Sequence, residues 1–370
     1  MKKPFMCTVL CVGSAAVVMF GAAPVLAEPP VTSRRLAGPD RYATALAIAN
    51  DTFPGSAEGK THAAYVAVAR GDAFADALAA VTAVPQGGAV LLTPRDRVPA
   101  GVARFVADRS NGVAYLMGQQ DVVGAGVEQE LEALQDGDQV FRLGGRDRYE
   151  TAAAAHRSGA DFVGGGTTLD GLRTAVLVNG LNPADAVSAG PLAYKEAFPL
   201  LLTAPDRLPQ ATLDALLLDD DGHDPIQQVI VVGGPQAVSP QVVARLEQAG
   251  LMVRRVAGQT RQDTAIRVWE FAEQEFGWLL GHINLARGDN PVDALAGAPH
   301  AARDYAPILL TVNRDELGEA NREFLRTRVR QQGWAQSDST VIDVFGDASA
   351  VSDAVVRDAE LAAALSPPPA

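Results

Sequence analysis

The chain is expected to fold as α/β, in three tandem Rossmann-like modules with mainly parallel sheets, and three features of the sequence lead there. Four landmark segments recur three times in the same order, helix-like and strand-like stretches alternate within each recurrence, and the strand-like runs are continuously apolar. Uninterrupted apolar runs suit strands buried on both faces of a parallel sheet, and alternation with helices gives α/β layering.

The first landmark is RLAGPDRYATA from Arg35, RLGGRDRYETA from Arg142 and RVAGQTRQDTA from Arg255, with starts 107 and 113 residues apart. The first two copies agree at eight of eleven positions, and all three share Arg, Gly, Arg, Thr and Ala in register. The second is VARGDAFADALAA from Val68, VNGLNPADAVSAG from Val178 and ARGDNPVDALAGA from Ala286, aligned on Asp76, Asp185 and Asp293. The third is VLLTP from Val90, LLLTAP from Leu200 and ILLT from Ile308. The fourth is YLMGQQDVV from Tyr115, VVGGPQAVS from Val231 and VFGDASAVS from Val344. Each recurrence is longer than a solenoid unit of roughly 20 to 45 residues and approaches a small domain. The boundaries fall at 28–139, 140–253 and 254–365, after a leader at 1–27 and before a disordered tail at 366–370.

Within the first module, Tyr42 to Asp51 has helical periodicity, Tyr65 to Val68 is a short strand-like run, and Phe74 to Val84 is an alanine-rich helix. The runs Val90 to Leu92, Gly101 to Ser110, Val113 to Met117 and Val122 to Leu134 follow. Val229 to Val232 and Val341 to Phe345 are doubly buried strands in the later copies. Parallel strands joined by right-handed crossovers place all their carboxyl ends, and most of the repeated motifs, along one sheet edge.

Composition narrows the function. Of 370 residues 48% are hydrophobic, 20% charged and only 6% aromatic, which excludes wholesale disorder and disfavours a sugar platform of stacked rings. Lys2 and Lys3, the apolar Thr8 to Phe20 and the small-residue site Val25-Leu26-Ala27 form an export signal; Gly21 to Pro24 shorten the run below a membrane span. Cys7 and Cys11 both lie in that segment, so the exported chain would carry no thiol. The 31 Lys and Arg against 44 Asp and Glu give a net charge of −13, which loss of Lys2 and Lys3 takes to −15. Such a chain repels nucleic acid and anionic lipid at long range, so an anionic ligand must be held locally. Apart from Lys60 and Lys195 the remaining positive charge is arginine, whose planar fork suits phosphate and carboxylate.

Arg41, Arg148 and Arg261 stand at helix amino termini, with Asp40 and Asp147 before them and Thr44, Thr151 or Thr264 three residues on. They either pin one module to the next or offer a fork to a polymer. The third copy has Thr260 and Gln262 in place of Asp and Tyr, which weakens any site built on the acid and the ring. Asp76, Asp185 and Asp293, near the starts of alanine-rich helices, are ligand or metal groups on one reading. On the other they are helix-dipole partners that hold arginines. In VVGGPQAVSP a strand turns through glycines into a helix that Ser239 can cap and Pro240 can start. Without a full phosphate-loop string, no nucleotide cofactor is expected. His62, His156, His223, His282 and His300 occupy unmatched positions, and no HExxH or GxSxG string occurs. Repetition of the distinctive residues favours multivalent binding over catalysis.

The combination of RLAGPDRYATA, RGDAFADALAA, VLLTP and VVGGPQAVS, repeated three times behind an export signal, resembles the cell wall-binding repeat 2 family of bacterial surface proteins. The resemblance spans roughly Arg35 to Leu365. It implies a noncovalent anchor of three α/β modules around a pseudo-threefold axis, attached to an anionic wall polymer, teichoic-acid-like or a charged polysaccharide. Members often add an effector domain such as an amidase or protease; none is expected between Ala27 and Ala370. The candidate polymer-binding residues are Arg41, Arg148, Arg261, Arg70, Arg287, Asp76, Asp185, Asp293, Thr93, Thr203 and Thr311. No catalytic residue, metal or cofactor is expected, and neither a nucleic-acid partner nor a membrane span after signal cleavage. The expected location is the secreted, wall-bound surface, and the alternative is a peptidoglycan hydrolase of amidase type or another secreted α/β enzyme.

Overall fold

The structure is a computed structural model that describes residues 31–55, 62–84, 86–134, 139–163, 168–217, 225–331 and 340–364. The expected leader and tail lie outside the described residues. The first motif-to-motif interval holds β1 (Val31–Leu36), α1 (Arg41–Thr52), β2 (Ala63–Arg70), α2 (Phe74–Ala83), β3 (Gly88–Thr93), α3 (Ala100–Arg109), β4 (Ser110–Met117), α4 (Ala125–Leu134) and β5 (Val140–Leu143). The second holds α5 (Arg148–Val163), β6 (Thr168–Leu169), β7 (Leu172–Asn179), α6 (Pro183–Lys195), β8 (Leu200–Thr203), α7 (Gln210–Leu217), β9 (Gln228–Val232), α8 (Pro240–Gln248) and β10 (Met252–Val256). The third holds α9 (Arg261–Phe276), β11 (Ile283–Ala286), a 3-10 turn (Pro291–Ala294), α10 (Ala298–Arg303), β12 (Ile308–Leu310), α11 (Glu319–Gln331), β13 (Thr340–Phe345) and α12 (Asp353–Ala364).

Three sheets form, in the orders β3-β2-β4-β5, β8-β7-β9-β10 and β12-β11-β13-β1. Every pairing is parallel except that of the short β6 against β7. The α/β class read from the sequence is therefore the observed one. The sheets, however, are offset by one strand from the repeats. The strand that runs into each Arg-Gly-Arg motif pairs with the preceding copy, and the first closes the ring: β1 pairs with β13 from Val31↔Thr340 to Leu36↔Phe345. The helix after each motif packs on the next sheet, α5 on β8, α9 on β12 and α1 on β3. Each motif is thus a bridge with its strand in one module and its helix in the next, and the three bridges repeat around a pseudo-threefold axis.

The strands β1, β5 and β10 were not evident from the sequence as strands. VTSRRL, VFRL and MVRRV carry arginines where the central strands carry Val and Leu, because each lies at a sheet edge and keeps one flank in solvent. A second difference concerns Asp293, expected near the start of an alanine-rich helix. It lies in the 3-10 turn, and the helix restarts at α10. Gly297 packs so closely on Phe345 that an added Cβ would fall 2.5 Å from the ring, and Pro299 brings no backbone donor.

The alanine-rich helices form the centre. Ala75–Ala83 of α2 and Ala184–Tyr194 of α6 are buried throughout, since alanine lets helices approach on every side. At Gly190 of α6 even a methyl group would stand 2.9 Å from the Ala298 Cβ of α10. One hydrophobic core runs from Leu36 to Ala363 through all three modules, beside a smaller cluster around Phe53, Phe105 and Leu131. Polar contacts stitch the seams: Tyr194 Oη donates to the Gly88 carbonyl at 2.9 Å, and Thr82 Oγ1 accepts from the Leu200 amide at 2.9 Å.

The seam between third and first modules is the most polar. His300, 1% exposed, bridges Thr52 Oγ1 at 3.1 Å and Asp343 Oδ2 at 2.9 Å. Arg34 of β1 forks Asp343 at 2.5 and 3.1 Å and Asp51 at 2.7 and 2.9 Å. Burial alone would raise the Asp343 carboxyl, but the nearby His282, His300 and Arg34 outweigh it and hold it far below the usual carboxylate range. Asp343 therefore stabilises the fold at neutral pH, and that contribution is lost as pH falls below its unfolded value of about 4. Replacing one member of a buried ion pair costs about 3 kcal/mol. Asp343→Asn is expected to lower unfolding stability by that order at pH 7, measured by denaturant titration; an unchanged midpoint would remove this seam as a stabilising element.

Candidate functional site

Each motif is built as a strand exit, a tight bend and a helix start. Glycine is obligatory in the bend: a Cβ on Gly38, Gly145 or Gly258 would fall 2.3, 2.1 or 2.1 Å from the side chain of Ala43, Glu150 or Asp263. The same glycines donate their amides to the Thr44, Thr151 and Thr264 hydroxyls at 3.1, 3.2 and 3.1 Å. Asp40 and Asp147 cap α1 and α5, and accept the Ala43 amide at 2.8 Å and the Glu150 amide at 2.9 Å. In the third copy Thr260 caps α9 in a reciprocal capping box with Asp263. Gln262, in the place of the ring, donates to the Thr311 carbonyl at 2.8 Å. The local frame therefore survives both substitutions.

The two motif arginines have separate structural duties. Arg35, Arg142 and Arg255 donate to the carbonyls of Gly346, Gly118 and Gly233 at 3.2, 2.8 and 2.5 Å. Those glycines end β13, β4 and β9 with φ of +100, +96 and +115°, a conformation that favours glycine. Arg41, Arg148 and Arg261 donate through Nη1 to the carbonyls of Gly71, Gly180 and Gly288 at 2.9, 2.7 and 2.5 Å. The second arginine thereby pins the exit of the next module's first strand, and Arg148 and Arg261 also line clefts.

Clefts open where the sheet order makes them open. In β3-β2-β4-β5, β2 leads through α2 to one side and β4 through α4 to the other, so the loops after β2 and β4 diverge. This is the switch point at which open α/β sheets bind ligands. The first cleft, about 350 Å³, is lined by Asp72–Asp76, Asp121, Val122, Gly145–Arg148 and Thr151. The second, about 700 Å³, is lined by Asn179, Asn182, Ala184, Asp185, Gly234–Ala237, Gly258–Arg261 and Thr264. Two helix amino termini face each cleft, α2 and α5 in the first, α6 and α9 in the second, and both offer positive potential.

At each motif junction a carboxylate faces the arginine of the following motif. Asp76 faces Arg148, Asp185 faces Arg261, and Asp293 faces Arg41, which completes the circle. All three acids sit in the first turn of their helix. Burial raises each of them against the pull of the arginine, and Asp185 is pushed up to about 6. Thr151 also supports Asp76, whereas no donor among the described residues hydrogen-bonds Asp185.

The structure thus brings together Asp76 with Arg148, Asp185 with Arg261, and Asp293 with Arg41. It does not bring the threonines with them. Thr93, Thr203 and Thr311 are fully buried, and their hydroxyls donate to the carbonyls of Arg97, Arg207 and Asn313 at 2.7, 3.1 and 2.7 Å. They shape the turns beneath the sheet edge, with no surface for a polymer. Arg70 and Arg287 fork their neighbours Asp72 and Asp289, at 2.8 and 2.9 Å through Nη2. Ser239 sits at the start of α8 as expected, yet its hydroxyl caps nothing, because the Ser239 carbonyl already takes the Val242 and Val243 amides. Arg35, Arg142 and Arg255 were visible as the first letter of each motif. Asn182, Gln236 and Gln259 could not have been found without the loops that gather them.

With this geometry in hand, the Cell wall binding domain 2 (CWB2) family matches residues 35–128, 142–243 and 255–356. The chain belongs to the CWB2 family. It is 34% identical over 196 residues to N-acetylmuramoyl-L-alanine amidase LytC of Bacillus subtilis (strain 168), which is 53% of this chain and 35% of that protein. It is 23% identical over 299 residues to the Amidase enhancer of the same organism, 80% of this chain and 38% of that one. The chain therefore spans little more than a third of the length of these curated relatives. Among solved structures, Cwp6 from Clostridium difficile superposes with a TM-score of 0.71 at 20% identity, over 96% of this chain and 51% of that one. Cwp8 from the same organism gives 0.69 at 24%, over 90% and 51%. These likenesses establish a shared fold for the CWB2 repeats.

Asp185 gives a stability test of the cleft. Its folded pKa lies above its unfolded value near 4, so the folded state holds the extra proton between roughly pH 4 and 6 and loses stability as pH rises through that window. Asp185→Asn is expected to stabilise the protein by about 3 kcal/mol at pH 8 and by almost nothing at pH 4. Denaturant unfolding at both values checks this; the same change at each pH would mean that the carboxyl is not strained by burial.

Proposed function

We propose that the chain is a noncatalytic anchor that holds an anionic wall glycopolymer in its inter-module clefts. The observation that carries this reading is the threefold recurrence of one arrangement: an arginine at a helix amino terminus, beside a sheet switch point, opposite a buried carboxyl. A catalytic centre has no use for three copies, whereas a polymer with repeating charge does. Three weak contacts on one strand combine through effective concentration and reach an avidity that no single cleft needs to supply. Membership of a wall-binding family supports the same reading. Among the described residues no helix is long and apolar enough to cross a membrane, so attachment would come from the polymer and follow export.

The charge balance sets how such binding works. At a net −13 the molecule as a whole repels a polyanion, so attraction acts only within the reach of the cleft arginines and helix termini. Contacts of this kind are screened beyond about 8 Å at physiological ionic strength. Purified walls are expected to retain the protein at low salt, to release most of it at 1 M salt, and to lose it after chemical extraction of the anionic polymer. Equal retention on stripped peptidoglycan overturns the polymer reading, and clearing of peptidoglycan in a zymogram would favour a hydrolase.

A further inference from the structure

The three motif junctions share a frame but not a charge. The first is lined by Asp72, Asp76, Asp121 and Asp147 against Arg146 and Arg148, and Arg146 is already forked by Glu150 at 2.8 Å. The third places Asp347 and Arg287 within the field of Asp293, beside Arg41, with Asp289 held by Arg287. Among the described residues the middle cleft has a single acid, Asp185, a single arginine, Arg261, and otherwise neutral polar groups such as Asn182, Gln236 and Gln259. It is also twice the volume of the first, about 700 against about 350 Å³.

The difference traces to a few substitutions. Where the outer copies read Arg-Gly-Asp, at Arg70–Asp72 and Arg287–Asp289, the middle copy reads Asn179-Gly180-Leu181. The Asn179 side chain turns back to accept the Leu181 amide at 2.8 Å, so the rim loses its acid without losing its turn. Gln236 stands where Asp121 stands in the first copy. Asp185 itself is 9% exposed, lines the cavity, and accepts no hydrogen bond from any described residue. Its carboxylate, short of protein donors and open to the cavity, is a ready acceptor for a ligand hydroxyl.

Resting on the reading of the clefts as polymer sites, we propose that the middle cleft, between α6 and α9, is the one that grips the charged unit. The unit is a singly charged oxyanion borne on a hydroxylated sugar or polyol. Arg261 and the open amides at the α9 amino terminus take the oxyanion, Asp185 takes a hydroxyl, and the side-chain amides take others. The acid-rimmed outer clefts contribute to the hold on neutral stretches. A phosphodiester and a sugar carboxylate present the same charge to Arg261, so competition by glycerophosphoglycerol and by glucuronate tells the two sources apart.

The test uses the whole chain on intact and polymer-stripped walls. Leu181→Asp, at an exposed position of the turn, gives the middle rim the acid that the outer modules carry at Asp72 and Asp289, while Asn179 keeps the turn. Gln236→Asp adds the acid of the first cleft at an exposed position. Each is expected to weaken retention on intact walls about tenfold, the order expected for one unscreened like charge at this range. The reverse graft, Asp72→Leu, removes a rim acid and frees Arg70, and is expected to strengthen it, and one of the two small competitors to displace the wild-type protein. Undiminished retention of both middle-cleft variants, or an equal loss from the reverse graft, overturns the inference while leaving wall binding intact. Wild-type protein that binds stripped walls equally well removes the polymer reading, and this assignment with it.

Discussion

The second arginine of each motif ties a helix start in one module to a strand exit in the next, and the rest of the architecture depends on that tie. Arg41, Arg148 and Arg261 each donate to a glycine carbonyl at the carboxyl end of the module's first strand. Burying a strand end beside a helix terminus would leave that carbonyl unpaired, and an orphaned backbone acceptor costs about 1 to 3 kcal/mol. The first arginine does the same for the strand in front. Between them they let one short motif hold two sheets at a fixed angle, and the cleft is the space that this angle leaves.

Sharing strands has a consequence for cooperativity. Because each sheet takes its outermost strand from the chain segment that enters the next module, no module is complete without its neighbour. The hydrophobic core accordingly runs through all three. The ring is closed without a covalent link by β1 on β13, and the seam there is not a copy of the others. Arg34, Asp343, Asp51 and His300 meet only at this junction, where two distant parts of the chain must find each other and directional polar contacts set the register that loop length sets elsewhere. Contacts so far apart in sequence carry a large loop-closure cost, which the seam's polar contacts help to offset.

A tension between stability and binding is visible in the clefts. Asp76, Asp185 and Asp293 are pushed up by burial beside arginines that do not close on them as ion pairs. A fold selected for stability alone would close the gap or replace the acid, and the polymer reading proposed above gives a reason for keeping it. Groups shifted in this way concentrate where a protein meets its ligand, and the middle copy carries the shift furthest, with the fewest competing charges around it.

Much of this was legible from the chain alone. The threefold recurrence, the α/β class, the helices that start at Arg41, Arg148 and Arg261, and the placing of Asp76 and Asp185 in alanine-rich helices all follow from residue order, because periodicity and capping act over a few residues. The acidic balance with scarce lysine likewise fixed in advance that any anion must be gripped by arginine at short range. Which sheet a strand joins was not legible: VTSRRL, VFRL and MVRRV read as polar lead-ins to a motif, and only their hydrogen bonds to the preceding copy reveal them as edge strands. The facing of Asp293 and Arg41, from opposite ends of the chain, the sealing of Thr93, Thr203 and Thr311, and the difference in charge among the clefts were decided by tertiary structure. Those properties depend on which distant groups are brought within a few ångströms, and distance through space is what a linear order of residues does not contain.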